Sequence, residues 1–202
     1  MREINAYLTA QQRDLLARAR IGIAGAGGLG SNCAMHLVRS GIRRLVVADF
    51  DRVAESNLNR QFFFADQVGQ RKVEALGVNL LRIVPDLELE LLDEEVTGGN
   101  ASALFGACDI VVEAFDSSCA KQMLIRTMMA AGKTVVAASG IGGWGRSNAL
   151  QLRRMAAGKL YVVGDFESDV GDRGFEPFSP RVGIAAAMQA NTVIALLLGE
   201  EP

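Results

Sequence analysis

The chain has 202 residues, half of them apolar and 22% charged, with a formal net charge of -2 and four prolines. That hydrophobic fraction excludes disorder and collagen-like order, and a domain of this size buries about 70% of the surface its unfolded chain exposes, so it needs no disulfide or zinc staple. A charge this close to balance excludes nucleic-acid binding by bulk positive charge, so recognition has to be local.

In chain order, the first 20 residues (MREINAYLTAQQRDLLARAR) form an N-terminal helical segment, with charges where a signal peptide would be oily. No apolar run is read as reaching the roughly 18 residues of a membrane helix, so a cytoplasmic protein without membrane contact is expected. IGIAGAG (21-27), a helix from about Leu29 to Ser40, and LVVADF (45-50) make a βαβ unit. A helix over 72-84 stops before Pro85, followed by strands at 87-92 and 109-115, a helix at 118-131 and a strand at 134-139. From Ala149, ALQLRRM and LYVVGDF, split by Ala156-Gly158, suggest an antiparallel addition at the sheet edge. The closing PRVGIAAAMQANTVIALLLG is helical after its proline and apolar around most of its circumference, as a helix buried on several sides would be. The expected architecture is one α/β domain, Rossmann-like and doubly wound, with a mostly parallel sheet and an antiparallel C-terminal extension. Residues 51-70 and 165-180 lack a regular pattern and are read as loops, where sites are commonly built.

The first strand runs into Gly25-Ala26-Gly27-Gly28-Leu29-Gly30, a G-x-G-x-x-G between strand and helix. Such glycines let the backbone approach a ligand closely, and the free N-H groups at the helix start attract phosphate. Asp49, 19 residues after Gly30, is placed to accept from ribose hydroxyls. The bland alternative is a tightened strand-helix corner, and a nicotinamide-dependent oxidoreductase would share the motif.

The segment after the second strand is less generic: Asp49-Phe50-Asp51-Arg52-Val53-Ala54-Glu55-Ser56-Asn57-Leu58-Asn59-Arg60-Gln61, then Lys72 at the start of the next helix. Arg60 offers a planar fork of donors and Lys72, one of four lysines, a compact charge, which together suit a triphosphate. Asn57 and Gln61 add neutral donors. Asp116, at the end of a sheet strand, suits magnesium, a hard cation that prefers carboxylate and phosphate oxygen. Each has a plainer reading: a solvated charge for the basic residues, a helix cap for Asp116.

This run resembles the D-x-D-x-V-x-x-S-N-L-x-R-Q and downstream lysine signature of the ThiF/MoeB/HesA family, bacterial relatives of ubiquitin-activating enzymes. The resemblance extends through EAFDSS (113-118) to the closing PRVGIAAAMQAN, which looks like the short ThiF branch. It implies an adenylyltransferase that activates the C-terminal glycine carboxylate of a small ubiquitin-fold sulfur carrier ending in Gly-Gly, of the ThiS type, with ATP and magnesium and release of pyrophosphate. It also implies a homodimer, for which the oily final helix and Phe62-Phe63-Phe64 are candidate apolar surface. By the same resemblance Gly28 contacts the nucleotide through its backbone, Asp49 the ribose, and Ser56 through Arg60 the phosphates. Lys72 sits on the phosphates and Asp116 holds magnesium, with Ser117 beside it. No general base is needed, because the carboxylate is already ionised, and His36 has a packing or surface role.

The paired C-x-x-C motifs of longer relatives are missing, so no zinc is expected, and the 165-180 loop lacks their cysteine. Cys33 and Cys108 are read as core, and Cys119 is nearest in sequence to the proposed site. Arg13 does not match the spacing of the family's N-terminal arginine. The loop at 165-180 is expected to order over the carrier's tail. The competing readings are a NAD(P)-dependent oxidoreductase and a non-catalytic module that holds ATP or a carrier.

Overall fold

A computed structural model describes residues 5-168 and 175-202. The strands are β1 (Arg20-Ala24), β2 (Arg44-Ala48), β3 (Glu88-Leu92), β4 (Ile110-Glu113), β5 (Thr134-Ala138), β6 (Gln151-Met155) and β7 (Leu160-Gly164). They form one sheet in the order β3-β2-β1-β4-β5-β7-β6. Five consecutive pairings are parallel, and β6 alone runs antiparallel, against β7. The order reverses direction at β1 and β4, which is the switch point where open α/β sheets leave a crevice beyond their C-terminal strand ends.

Among the described residues, six α-helices cover the faces: α1 (Ala10-Arg18), α2 (Gly28-Ser40), α3 (Lys72-Leu81), α4 (Ala101-Phe105), α5 (Ser118-Ala130) and α6 (Ser179-Leu198). Ile21, Ile23, Leu45 and Val47 pack on one side with α1, α2, α3 and α6, while Ala24, Val46 and Val111 pack on the other with α4 and α5. Because both faces are covered, the central strands read as unbroken apolar runs instead of alternating ones. Each fully buried Leu, Ile or Val adds about 1.5-3 kcal/mol. Cys33 and Cys108 lie in these two cores, where burial pushes their thiols to about 12 and about 11, and Cys119 is exposed.

The doubly wound α/β expectation holds, with corrections in detail. β7 belongs to the main sheet, paired in parallel with β5, so the antiparallel addition is β6 alone. The helix at 72 ends at Leu81, where its register breaks into a turn before Pro85. The five-residue α4 carries Phe105, which lies against Gly22 of β1. α1 opens on a capping box between Thr9 and Gln12. The expectation that no apolar run reaches membrane length fails on α6, whose 20 residues are long and apolar enough by length and composition, at a mean hydropathy of 1.5. Gln189, Asn191 and Thr192 interrupt its apolar run in the sequence, yet the residues around them keep that mean high. In the fold α6 packs on α2, α1 and the sheet, with Ala185, Ala186, Ala190 and Val193 buried.

Gly25 has φ +98, and a Cβ on Gly30 would stand 1.8 Å from the Gly25 carbonyl oxygen. Gly183 in α6 has open space around it. Gly30→Ala is therefore expected to cost about 3 kcal/mol or more and Gly183→Ala to add about 1 kcal/mol. In thermal melts these appear as Tm shifts of about 6-12 °C down and about 2-4 °C up, and equal Tm values for the two variants would contradict the packing argument.

Candidate active site

The crevice forms because the strand ends are level: Ala24 pairs with both Ala48 and Glu113. The Gly25 N-H donates to Ala48 O, and the Ala114 N-H donates to Ala24 O. α2 starts at Gly28 with Gly27 as its cap, so its first-turn N-H groups face this crevice. The Asp49 carboxylate ties the pieces together. It accepts the Ala26 N-H at 2.6 Å and the Asp51 N-H at 2.8 Å, joining the glycine turn to the exit of β2.

The segment after β2 folds back over this turn. The Ser31 hydroxyl accepts the Phe62 N-H, and Asn32 donates to Arg60 O at 2.9 Å, so two side chains of α2 tether the loop. Arg60 lies against Gly28 and donates to Ser56 O and to the Asn59 side chain. A short bridge between Arg52 and Arg71 then returns the chain, and Lys72 opens α3 beside Asp51. Lys72, its side chain 8% exposed, donates through its ammonium to the carboxylate of the half-exposed Asp51 at 2.7 Å.

One cavity of about 600 Å³ lies over the switch point. It brings together Gly25, Gly27, Gly28, Asp49, Asp51, Arg60, Gln61, Lys72 and Asp116. Other residues singled out in the sequence lie outside its lining. Gly30 serves the close approach of α2 to β1. Asn57 accepts the Ala54 N-H, Asn59 accepts from Arg60, and Ser56 supplies a carbonyl to Arg60, so these three shape the loop. Ser117 caps α5 through the Ala120 N-H. The Gln61 Oε1 is buried without a partner among the described residues, at the cavity wall. His36 stands half-buried on α2, its pKa lowered by burial and then by Arg39.

Among the described residues, two ion pairs with fully buried carboxylates escape a reading of the sequence. Glu113, fully buried at the end of β4, accepts the Lys121 ammonium at 3.1 and 3.2 Å and the Phe115 N-H at 2.7 Å. Burial pushes its carboxyl up, against the opposing Lys121 charge. Arg181, 4% exposed at the start of α6, donates to Asp165, and also to Gly145 O at 2.8 Å and Arg146 O at 3.1 Å. Asp165 in turn accepts the Glu167 and Ser168 N-H groups and the Ser168 hydroxyl. This clasp joins three segments beside the cavity wall formed by Gly140, Phe166 and Pro177. Phe166, at φ +63, carries the Arg153 guanidinium 3.7 Å above its ring. The loop expected at 165-180 lies partly outside the described residues, at 169-174.

A doubly wound sheet with a glycine turn, a tethered basic loop and a strand-end aspartate around one crevice defines a class of α/β protein built to hold a phosphorylated ligand. This chain belongs to the ThiF family, which it matches over residues 2-202. It is 28% identical over 196 residues to the sulfur carrier protein ThiS adenylyltransferase of Escherichia coli, covering 96% of this chain and 77% of that protein. It is 30% identical over 185 residues to the adenylyltransferase and sulfurtransferase UBA4 of Eremothecium gossypii, covering 91% of this chain and 39% of UBA4. The chain thus spans about two fifths of UBA4. Among solved structures, E. coli tRNA N6-threonylcarbamoyladenosine dehydratase (TcdA) with AMP superposes at a TM-score of 0.86, with 23% identity, 97% of this chain and 93% of that one. E. coli MccB with ATP superposes at 0.72, with 20% identity, 92% of this chain and 58% of that one. These likenesses establish the fold.

For Asp165, burial raises the pKa, but the Ser168 and Glu167 hydrogen bonds and the Arg181 charge outweigh it and leave the carboxyl below its ordinary value. A depressed carboxyl contributes stability that is complete above the unfolded pKa of about 3.9 and is lost as pH falls through the lower folded value. Asp165→Asn, which strands a buried guanidinium, is expected to cost about 3-5 kcal/mol at pH 7 and the same at pH 5. Urea melts should show the gap to the unmodified protein narrowing below about pH 4, and a gap that widens there would refute the assignment.

Proposed function

We propose that this chain is an ATP-dependent adenylyltransferase that activates the C-terminal carboxylate of a small ubiquitin-fold sulfur carrier ending in Gly-Gly. The carrier is of the ThiS type, supplying sulfur for the thiazole of thiamine. The observation that carries the reading is Lys72: a largely buried lysine side chain lining the same cavity as Arg60 and the glycine turn, with Asp116 at the β4 exit. The family match and the similarity to the ThiS adenylyltransferase support it.

In the reaction a carboxylate oxygen of the carrier forms a bond to the α-phosphorus of ATP. The bond from that phosphorus to the oxygen bridging to the β-phosphorus breaks, and pyrophosphate leaves with the electron pair. No proton has to move, so the protein contributes positioning and charge. The N-H groups at the start of α2 and the glycine turn receive phosphate oxygens, Asp49 takes the ribose hydroxyls, and Arg60 and Lys72 neutralise the triphosphate. Lys72 exchanges its half-exposed partner Asp51 for phosphate oxygens, which keeps the charge of a largely buried side chain paired.

The cavity lining also fits magnesium. Its carboxylates, Asp49, Asp51, Glu94, Asp116 and Glu167, outnumber its cations, Arg60, Lys72 and Lys121, so it suits a metal-nucleotide better than a bare polyanion. Asp116 would hold the cation together with substrate phosphates, since magnesium is usually bound by one or two carboxylates plus phosphate oxygens. When bound, the ion neutralises phosphate charge and orients the leaving pyrophosphate.

Pyrophosphate-ATP exchange that appears only on adding a carrier ending in Gly-Gly is the expected result, together with ATP binding and no NAD(H) binding by calorimetry. Lys72→Ala and Asp116→Ala are each expected to lower exchange about 100-fold or more with the fold retained. Exchange absent with every carrier of a ThiS-type panel would leave a nucleotide-binding module, and NAD(H) binding without ATP binding would make it an oxidoreductase.

The same reading makes the protein a homodimer. Phe64 is 46% exposed and Val78 53%, and Leu196, Leu197 and Leu198 at the end of α6 are only partly covered, which leaves apolar surface for a second copy. Light scattering at micromolar concentration should give twice the chain mass, and a single chain mass would contradict this.

A further inference from the structure

Triphosphate binding by Arg60 and Lys72 leaves the third cation of the cavity, Lys121, without a task. Arg60 and Lys72 approach from the loop and helix on the α2 and α3 side of the sheet. Lys121 comes from the first turn of α5 on the opposite face, five residues beyond Asp116. β4 is flanked by β1, which bears the glycine turn, and by β5, whose exit bears Ser139 and Gly140. Lys121 therefore stands between the nucleotide side of the cavity and the side walled by Gly140, Phe166 and Pro177. Its side chain is 21% exposed, and its ammonium rests on the fully buried Glu113, which also accepts the Phe115 N-H and so fixes the turn presenting Asp116. Glu113 leaves the ammonium with donor capacity toward the cavity, since a lysine has three N-H groups.

On the adenylation reading, two anions must converge at this boundary, the carrier carboxylate and the α-phosphate, and like charges repel. We propose that Lys121 is a catalytic residue whose ammonium bridges the incoming carboxylate and the α-phosphoryl oxygens while the new oxygen-phosphorus bond forms, with Glu113 as the residue that positions it. No proton is transferred in the step, and the electron pair of the breaking bond leaves with pyrophosphate. This inference rests on the adenylation reading for the identity of the second anion and adds the group that brings the two together.

The test uses the full chain and three variants, Lys121→Met, Lys121→Arg and Glu113→Gln, with thermal melts to confirm folding. Three quantities are measured: carrier-dependent pyrophosphate-ATP exchange, the Kd of ATP, and the Kd of a non-hydrolysable acyl-adenylate mimic, glycyl sulfamoyl adenosine. Lys121→Met is expected to lower kcat of exchange about 100-fold and to weaken the mimic about tenfold or more, with the ATP Kd within about twofold. Lys121→Arg should recover most of the loss. Glu113→Gln keeps the cation, and its side-chain carbonyl still accepts from Phe115 and Lys121, so its loss should be at least about tenfold smaller than that of Lys121→Met.

Equal losses in Lys121→Met and Glu113→Gln would overturn the proposal and mark the pair as structural. So would a Lys121→Met that weakens ATP as much as the mimic. Absence of exchange in the unmodified protein with every carrier would sink the adenylation reading separately. The comparison of mimic with ATP in Lys121→Met would still decide whether Lys121 serves the acyl-phosphate position.

Discussion

The site depends on one close approach, that of the first turn of α2 to the end of β1. With Gly25 in a left-handed conformation and no side chain on Gly30, the helix start presses onto the Gly25 carbonyl. Any Cβ at Gly30 would push the helix away, and with it the N-H groups that face the crevice. The rest is arranged on that contact. Ser31 and Asn32, in the same first turns, hold the loop bearing Arg60, and Asp49 clips the glycine turn to the exit of β2. A change at Gly30 therefore propagates to the phosphate cradle and to its basic residues.

Three cations at or beside the cavity are already paired within the chain: Lys72 with Asp51, Lys121 with Glu113, Arg181 with Asp165. Buried pairs of this kind add little net stability, because desolvation offsets most of their attraction. Their value here is geometric. Each fixes a long side chain before a ligand arrives, so fewer rotamers have to be frozen on binding. The pairs differ in what a ligand can replace. Asp51 is half exposed and can yield its lysine to phosphate, whereas Glu113 and Asp165 are buried and keep their partners. Lys72 thus behaves as an exchangeable cation, and Arg181 as a fixed clasp for the cavity wall.

Much of this was legible in the sequence because it is local. The βαβ unit, the glycine turn and the acid after β2 lie within about 30 consecutive residues, and hydrophobic period and turn chemistry identify such units. The run from Asp49 to Lys72 supplied the basic residues and the family resemblance. Within that run, however, the sequence did not separate residues that face the cavity from those that shape the loop. Gln61 and Arg60 line the crevice, while Asn57 and Asn59 spend their side-chain oxygens on neighbouring donors. Polar residues of one type serve both purposes, and the backbone path chooses between them.

By itself the sequence determined the alternation of strands and helices, the phosphate-type turn, the candidate cations and the absence of paired cysteine motifs, since each is written in residue type and short spacing. Only the tertiary structure decided that β7 joins the parallel sheet and that the apolar α6 lies against α2 and the sheet. It also decided that Lys121 and Arg181 reach Glu113 and Asp165. Sheet pairing and the burial of a charge depend on which segments meet in space, and no local pattern encodes the partner across an intervening strand or helix.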